Sequence, residues 1–243
     1  MTSIQHQSAL SHDTIKEIFE NIYLVVGTSI THHEGEDIQH SSNMTIVRHG
    51  NELSLINTVR LDESGLRELD ALGRVKNVIR IGAFHGQDDA FYCDTYNAKL
   101  WALQGMKNDC GQGTFIAMDI AMVPGGPIPF PDCKIFVFET SSYPEGIIHI
   151  AQNGGVLVTC DSVKNWLTTD RFFNRSTAKS HQEQGMIGPA NIAFWSNACK
   201  VQVPDFLRLQ SLSFRHLLSA HGSPIRNDAY EQLALSIKKQ FKP

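Results

Sequence analysis

Three short stretches of the chain carry residue types able to hold a metal ion and activate water. The first, His85-Gly-Gln87-Asp88-Asp89-Ala90, sets one imidazole beside two consecutive carboxylates. On a helical turn His85 and Asp89, four residues apart, share a face and offer a nitrogen and a hard-oxygen ligand. The same carboxylates also suit a purely structural task, capping a helix that opens at Ala90 by accepting its free N–H groups. The second stretch, Gly155-Val-Leu-Val-Thr-Cys-Asp161, is an apolar strand ending on a carboxylate. A buried carboxylate is costly unless a metal or a donor meets it, although a strand-terminal Asp also bonds the N–H groups of its own turn. The third, Phe214-Arg-His216-Leu-Leu-Ser-Ala-His221-Gly222, ends on an imidazole followed by a glycine that lets backbone approach closely. Singly, each has a structural explanation. Together, His85, Asp89, Asp161 and His221 each stand at a strand end, where α/β folds place ligand-binding groups.

The elements that position these groups follow from hydrophobic periodicity. Ile15, Ile18, Phe19 and Ile22 fall at helical spacing behind Ser11 or Asp13, predicting a short helix within an N-terminal segment, residues 1–22. A strand is expected over 23–26, then a polar loop over 31–42 whose His32, His33 and His40 are expected in solvent. Runs at 44–47 and 53–57 flank His49-Gly50-Asn51 and read as a hairpin. Leu66, Leu69 and Leu72 share a helical face that Gly73 ends, 75–81 reads as a buried strand, 84–96 opens another helix, and 98–103 is a strand. The Pro- and Gly-rich residues 123–131 form a connecting loop. Strands follow at 134–139, 146–151 and 156–160, the last two joined at Asn153-Gly154. His149 alternates with Ile148 and Ile150 and so faces away from them. Helices are expected over 204–212 and 226–241, with a strand at 214–219 between them, while 162–200 is poorly legible. Two β-rich halves suggest sheets packed face to face with helices outside, in one domain over residues 23–243.

Composition narrows the function. The 243 residues are 42% hydrophobic and 19% charged, and 21 basic against 25 acidic residues leave a net charge of −4. No basic field draws the protein to nucleic acid or an anionic membrane, so neither is expected as a partner. No run approaches the roughly 18 apolar residues of a membrane span, and residues 1–20 lack a signal-peptide core; a cytoplasmic location is the expectation. The five cysteines lack Cys-x-x-Cys spacing and read as reduced packing residues.

The ordered set His85, Asp89, Asp161, His221, with the hairpin at 43–57 and the turn Ala220-His221-Gly222-Ser-Pro224, resembles the metallo-β-lactamase-fold hydrolase superfamily. The resemblance runs from Tyr23 to the C-terminal helix. It implies an α/β (α+β) architecture, a four-layer αββα sandwich of two mixed sheets with a metal centre at one edge. The superfamily's first motif, His-x-His-x-Asp-His, is incomplete here: His85 and Asp89 match, but Gln87 and Ala90 replace the other two ligands. A third family histidine would fall near Ser142. Asp161 corresponds to the bridging carboxylate and His221 to the last histidine.

The resemblance implies a small-molecule substrate and a hydrolase of a small ester, lactone, thioester or phosphoester. Four surviving groups support one divalent ion, zinc first and iron or manganese next, completed by Gln87, Asp88 or water. Asp88 or Asp89 would position or deprotonate the attacking water. Without an ion, Asp89 or Asp161 is expected to be protonated. His181 is a spare ligand candidate, and Tyr92 a candidate pocket residue. The alternative is a binding or scaffold protein of the same fold that holds no metal. The sequence leaves homo-oligomerisation open.

Overall fold

The structure, a computed structural model, describes residues 6–33, 35–106 and 116–241. Its first sheet has seven strands in chain order: β1 (Lys16–Phe19), β2 (Ile22–His33), β3 (Glu36–His49), β4 (Glu52–Ile56), β5 (Arg74–Arg80), β6 (Lys99–Leu103) and β7 (Ile120–Met122). Pairing is antiparallel from β1 to β4 and parallel from β4 to β7. The second sheet has the order β11-β10-β9-β8, from β8 (Cys133–Val137), β9 (Gly146–Ile150), β10 (Val156–Thr159) and β11 (His216–Ser219). Here β10 and β11 are parallel and the other pairs antiparallel. The prolines of 123–131 carry the chain from one sheet to the other, as their poverty in N–H donors predicts.

Strand alternation divides the apolar side chains into three packed layers. Ile79 of β5, Val156 and Val158 of β10 and Ile148 of β9 meet between the sheets. Val75 and Val78 turn the other way, against Leu69 of α1 (Glu63–Leu72) and Phe91 and Tyr92 of α2 (Asp89–Tyr96). Leu157 and Leu217 face the second outer layer, which contains α4 (Ala193–Ala198), α5 (Val203–Gln210) and α6 (Ala229–Gln240). The remaining helix, α3 (Arg175–Glu183), packs on β3. The result is the expected αββα sandwich of two mixed sheets.

Two local expectations are overturned. Residues 15–22 form β1 and the start of β2, joined at Glu20-Asn21, not a helix. Asn21 takes φ 62°, which suits a tight hairpin turn, and edge pairing outweighs a helix too short to stand alone. Residues 31–42 are not a solvated loop but the distal half of a long β2–β3 hairpin, with Thr31 opposite Ile38 and His32 opposite Asp37. Elsewhere local signals hold. Asp62 accepts the Gly65 N–H at 2.8 Å to cap α1, and Gly73 ends that helix.

Candidate metal centre

Strands β5, β10 and β11 deliver the site at their C-terminal ends. Because β10 and β11 run parallel with Thr159 opposite Ser219, the residues two places further on, Asp161 and His221, emerge side by side. His85 arrives from the loop after β5. Asn43 of β3 staples the edge, donating through Nδ2 to Ser219 O (2.9 Å) and Gly222 O (2.6 Å), and Asn57 Nδ2 donates to Thr159 O (3.1 Å). Gly222 sits at φ +89° with Asn165 O only 2.1 Å from where a Cβ would lie, so the turn after His221 requires glycine.

Three donor groups converge. His85 Nε2 and His221 Nε2 are 3.1 Å apart, His221 Nε2 is 3.1 Å from Asp161 Oδ1, and His85 Nε2 is 3.4 Å from Asp161 Oδ2. All three residues are largely buried. His221 Nδ1 faces Ser41 O at 3.4 Å. With the hydrogen on Nδ1, which the Ser41 carbonyl accepts, the Nε2 lone pair is free for an ion; with it on Nε2 the ring donates to Asp161 instead. Burial and the nearby Lys164 push the His221 pKa down to about 4, which keeps that ring neutral at pH 7. In the first tautomer a lone pair aimed at a carboxylate oxygen is repulsive unless something electropositive lies between them. Ligands bound tetrahedrally at about 2.0–2.2 Å stand roughly 3.3–3.5 Å apart, close to these separations. The residues present therefore fit one divalent ion.

The protein supplies two cations of its own to this region. Lys164 Nζ lies 2.8 Å from Asp161 Oδ1. Burial raises the Asp161 pKa, but Lys164, His85 and His221 outweigh it and hold the carboxyl well below its usual range. Asp89 is the principal departure from expectation: it does not join the cluster. Arg80 Nε contacts its Oδ2 at 2.7 Å and Thr58 Oγ1 donates to its Oδ1 at 2.5 Å, all in a buried setting. The loop over Arg80 can close because residue 86 is glycine, at φ +103°; a Cβ there would lie 2.1 Å from Arg80 Nε. His85 precedes α2, so it and Asp89 never share a helical face. The expectation that one of the two carboxylates is protonated was made without these basic partners, Lys164 beside Asp161 and Arg80 beside Asp89.

Asp88 lies at the start of α2 but forms no side-chain cap. Its Oδ2 accepts the Arg60 N–H at 2.9 Å, and burial pushes its pKa up to about 6. Asp88 and Gln87 both line the cavity of about 160 Å³ that opens on the three donors. Tyr92 does not line it: its hydroxyl donates to Val59 O at 2.7 Å and accepts from Leu61 N at 3.2 Å inside the core. Ser142 is exposed, its N–H bonded to Cys199 O. His181 is buried in an aromatic cage with Trp166, His40 and Phe173, behind the site rather than in the cavity.

Sequence reasoning missed several neighbours. His40, expected in solvent, is brought in by β3 and lines the cavity, its ring edge-on to His221 at 5.3 Å. Hydrogen bonds from Gln39 to Thr177 Oγ1 and to Phe172 O tie this strand to α3 and its approach. Trp166 packs on His221 at 4.6 Å and donates to Ser41 Oγ at 2.8 Å. Glu145 is wholly buried beside the cluster; its Oε1 accepts the Ser162 N–H, its Oε2 has no hydrogen-bond partner among the described residues, and burial with the Asp161 charge pushes its pKa well up. Cys160 backs onto Asp161 with Sγ 4.0 Å from Oδ2, and burial keeps it a thiol. A single Lys, Trp or Glu near a strand end carried no pattern by which these could be found.

No family model and no curated protein sequence matches the chain. Solved structures do. A metallo-β-lactamase from Hirschia baltica is 14% identical, with a TM-score of 0.58 over 95% of this chain and 98% of that one. The metallo-β-lactamase FIM-1 from Pseudomonas aeruginosa, in a mono-zinc form, is 12% identical with a TM-score of 0.58 over 98% and 99%. DIM-1 metallo-β-lactamase gives 13% identity and a TM-score of 0.60 over 97% and 99%. Each likeness spans at least 95% of this chain, both sheets and their helices included, and this chain has the metallo-β-lactamase fold.

Proposed function

We propose that the protein is a metal-dependent hydrolase that works with one divalent ion, zinc first, on a small ester, lactone, thioester or phosphoester. The observation carrying this reading is the mutual spacing of His85 Nε2, His221 Nε2 and the Asp161 carboxylate, at 3.1–3.4 Å. These three residues would hold the ion, which when bound supplies Lewis acidity and lowers the pKa of water toward 7. Asp89 is committed to Arg80, so the proton-transfer role falls to Asp88. With Oδ2 fixed by the Arg60 N–H, Asp88 takes a proton from water as its oxygen bonds to the substrate carbonyl carbon. It then returns a proton to the alkoxide oxygen released when the acyl C–O bond breaks.

The test is metal content after purification without chelator, with turnover across an ester, lactone, thioester and phosphodiester panel. About one equivalent of metal, lost in Asp161→Asn, and turnover abolished in His221→Ala are expected. No stoichiometric metal after reconstitution overturns the reading.

A second reading, a metal-free binding or scaffold protein, is favoured by one observation: Lys164 and Arg80 already neutralise both carboxylates. It requires that EDTA leave thermal stability unchanged and that no panel member turn over.

A further inference from the structure

The cavity that opens on the three donors is small, and its wall is polar except in two places. At about 160 Å³ it is close to the volume that takes one benzene molecule, so it holds a scissile group and a few atoms beside it, and the rest of a substrate lies outside. Of the side chains that line it only Val59 and Phe84 are apolar, and Val59 is 4% exposed against 39% for Phe84. A ring that lines the cavity and is this exposed stands at its rim. Tyr143, 41% exposed and outside the lining, packs on Phe84 with ring centroids 4.9 Å apart and planes at 52°. Single exposed apolar side chains are ordinary, but this is the one contact between two exposed phenyl or phenol rings among the described residues. Backbone bonds hold the two rings together across 59 residues of chain. Ala83 N–H donates to Pro144 O (3.1 Å), Gly146 N–H donates to Ile81 O (2.8 Å), and Pro144 restricts Tyr143 to extended backbone. Ser141 Oγ donates to Tyr143 O at 2.7 Å.

We propose that Phe84 and Tyr143 form an aromatic platform at the rim of the candidate metal centre, and that it selects an ester carrying an aromatic ring one carbon from the scissile group. The inference rests on the hydrolase reading for its reaction, and on the two rings for its selectivity. With the ester group in the polar cavity, the substituent reaches apolar surface at Phe84. A substrate ring set edge-to-face or offset on the pair gains about two- to tenfold in binding over a saturated ring of the same size, the part of an aromatic contact that area burial does not supply. Because backbone bonds already hold both rings, little ordering opposes that contact. Phe84 and Tyr143 are here specificity-determining residues.

The experiment uses zinc-loaded protein and two matched pairs of esters, benzyl against cyclohexylmethyl acetate and methyl phenylacetate against methyl cyclohexylacetate, which put the ring on the alcohol or the acyl side. In at least one pair the aromatic ester, after correction for its rate in hydroxide, should have a kcat/KM about two- to tenfold above its saturated partner. Phe84→Leu and Tyr143→Leu, which keep an apolar side chain without a ring, should each bring that ratio toward unity, while Tyr143→Phe should retain it. A general loss of folded protein lowers both members of a pair together and leaves the ratio unmoved. A second readout needs neither metal nor turnover: metal-free protein is titrated with benzyl alcohol and with cyclohexylmethanol, and both affinities are read from the Tyr143 ring resonances. Benzyl alcohol should bind about two- to tenfold more tightly, and Phe84→Leu should remove the difference. Ratios of unity in both ester pairs, or a ratio that survives in the double variant Phe84→Leu/Tyr143→Leu, overturn the inference and leave the hydrolase reading standing. Where none of the four esters turns over, the hydrolase reading is judged on its own panel, and the relative affinity of the two alcohols alone decides whether the rim is an aromatic platform.

Discussion

Lys164→Met is the most informative single perturbation, because Lys164 is the cation that now neutralises Asp161. Their side chains are 11% and 9% exposed, with Nζ and Oδ1 2.8 Å apart. Removing one partner of a buried pair strands the other charge, which costs about 3–5 kcal/mol. The two imidazoles beside Asp161 are held toward the neutral form by burial and cannot fully replace the ammonium. For a chain of this size each kcal/mol moves Tm by about 2–4 °C, so the variant should melt roughly 6–20 °C lower in EDTA. A divalent ion bound by His85, His221 and Asp161 supplies the missing positive charge. Zinc at a hundred times the parent's Kd adds about 2.7 kcal/mol to the parent, and the same concentration adds more to the variant, whose affinity is higher because no ammonium opposes the ion. The assay is thermal denaturation of both proteins in EDTA and across a zinc titration. A variant as stable as the parent in EDTA, or one that zinc fails to restore, would refute the assignment of Lys164 and the ion to the same carboxylate.

Other consequences are equally open to measurement. Arg80→Met removes the cation beside Asp89 and should cost about 3–5 kcal/mol in urea denaturation, much of it recovered in the double variant Arg80→Met/Asp89→Leu. Gly86→Ala places a methyl against the Arg80 guanidinium at φ +103°; a loss of about 1–3 kcal/mol is expected, with weaker zinc binding by calorimetry as His85 is displaced. Asp88, with a pKa raised to about 6, should give kcat/KM that climbs as pH rises through 6, a limb that Asp88→Asn removes. The same shift has a stability sign. The folded protein holds the Asp88 proton more tightly than the unfolded chain, so this group's contribution declines from about pH 4 to about pH 6. Asp88→Asn should flatten that part of the stability profile.

What the sequence determined by itself was the fold class and the ends of its strands. Apolar runs at β5, β10 and β11, the change of period from Asp62 and the Gly73 stop around α1 and the proline-rich connector are local features, and local physics placed them correctly. Asp161 and His221 were legible because an apolar strand that terminates on an ionisable residue is conspicuous. Their adjacency was not, since it arises from the parallel register of β10 on β11 across sixty residues of chain. Tertiary structure alone decided the rest. The polar run at 36–43 has no strand signal of its own and becomes β3 through pairing with β2 and contacts to α3, carrying His40 into the cavity. Asp89 was separated from His85, Asp161 and His221 by a guanidinium nine residues earlier, and Lys164 was brought to Asp161 by a turn. Electrostatic partnership depends on distances of a few ångströms in space, and spacing along the chain does not encode which of several cations will reach a given carboxylate first.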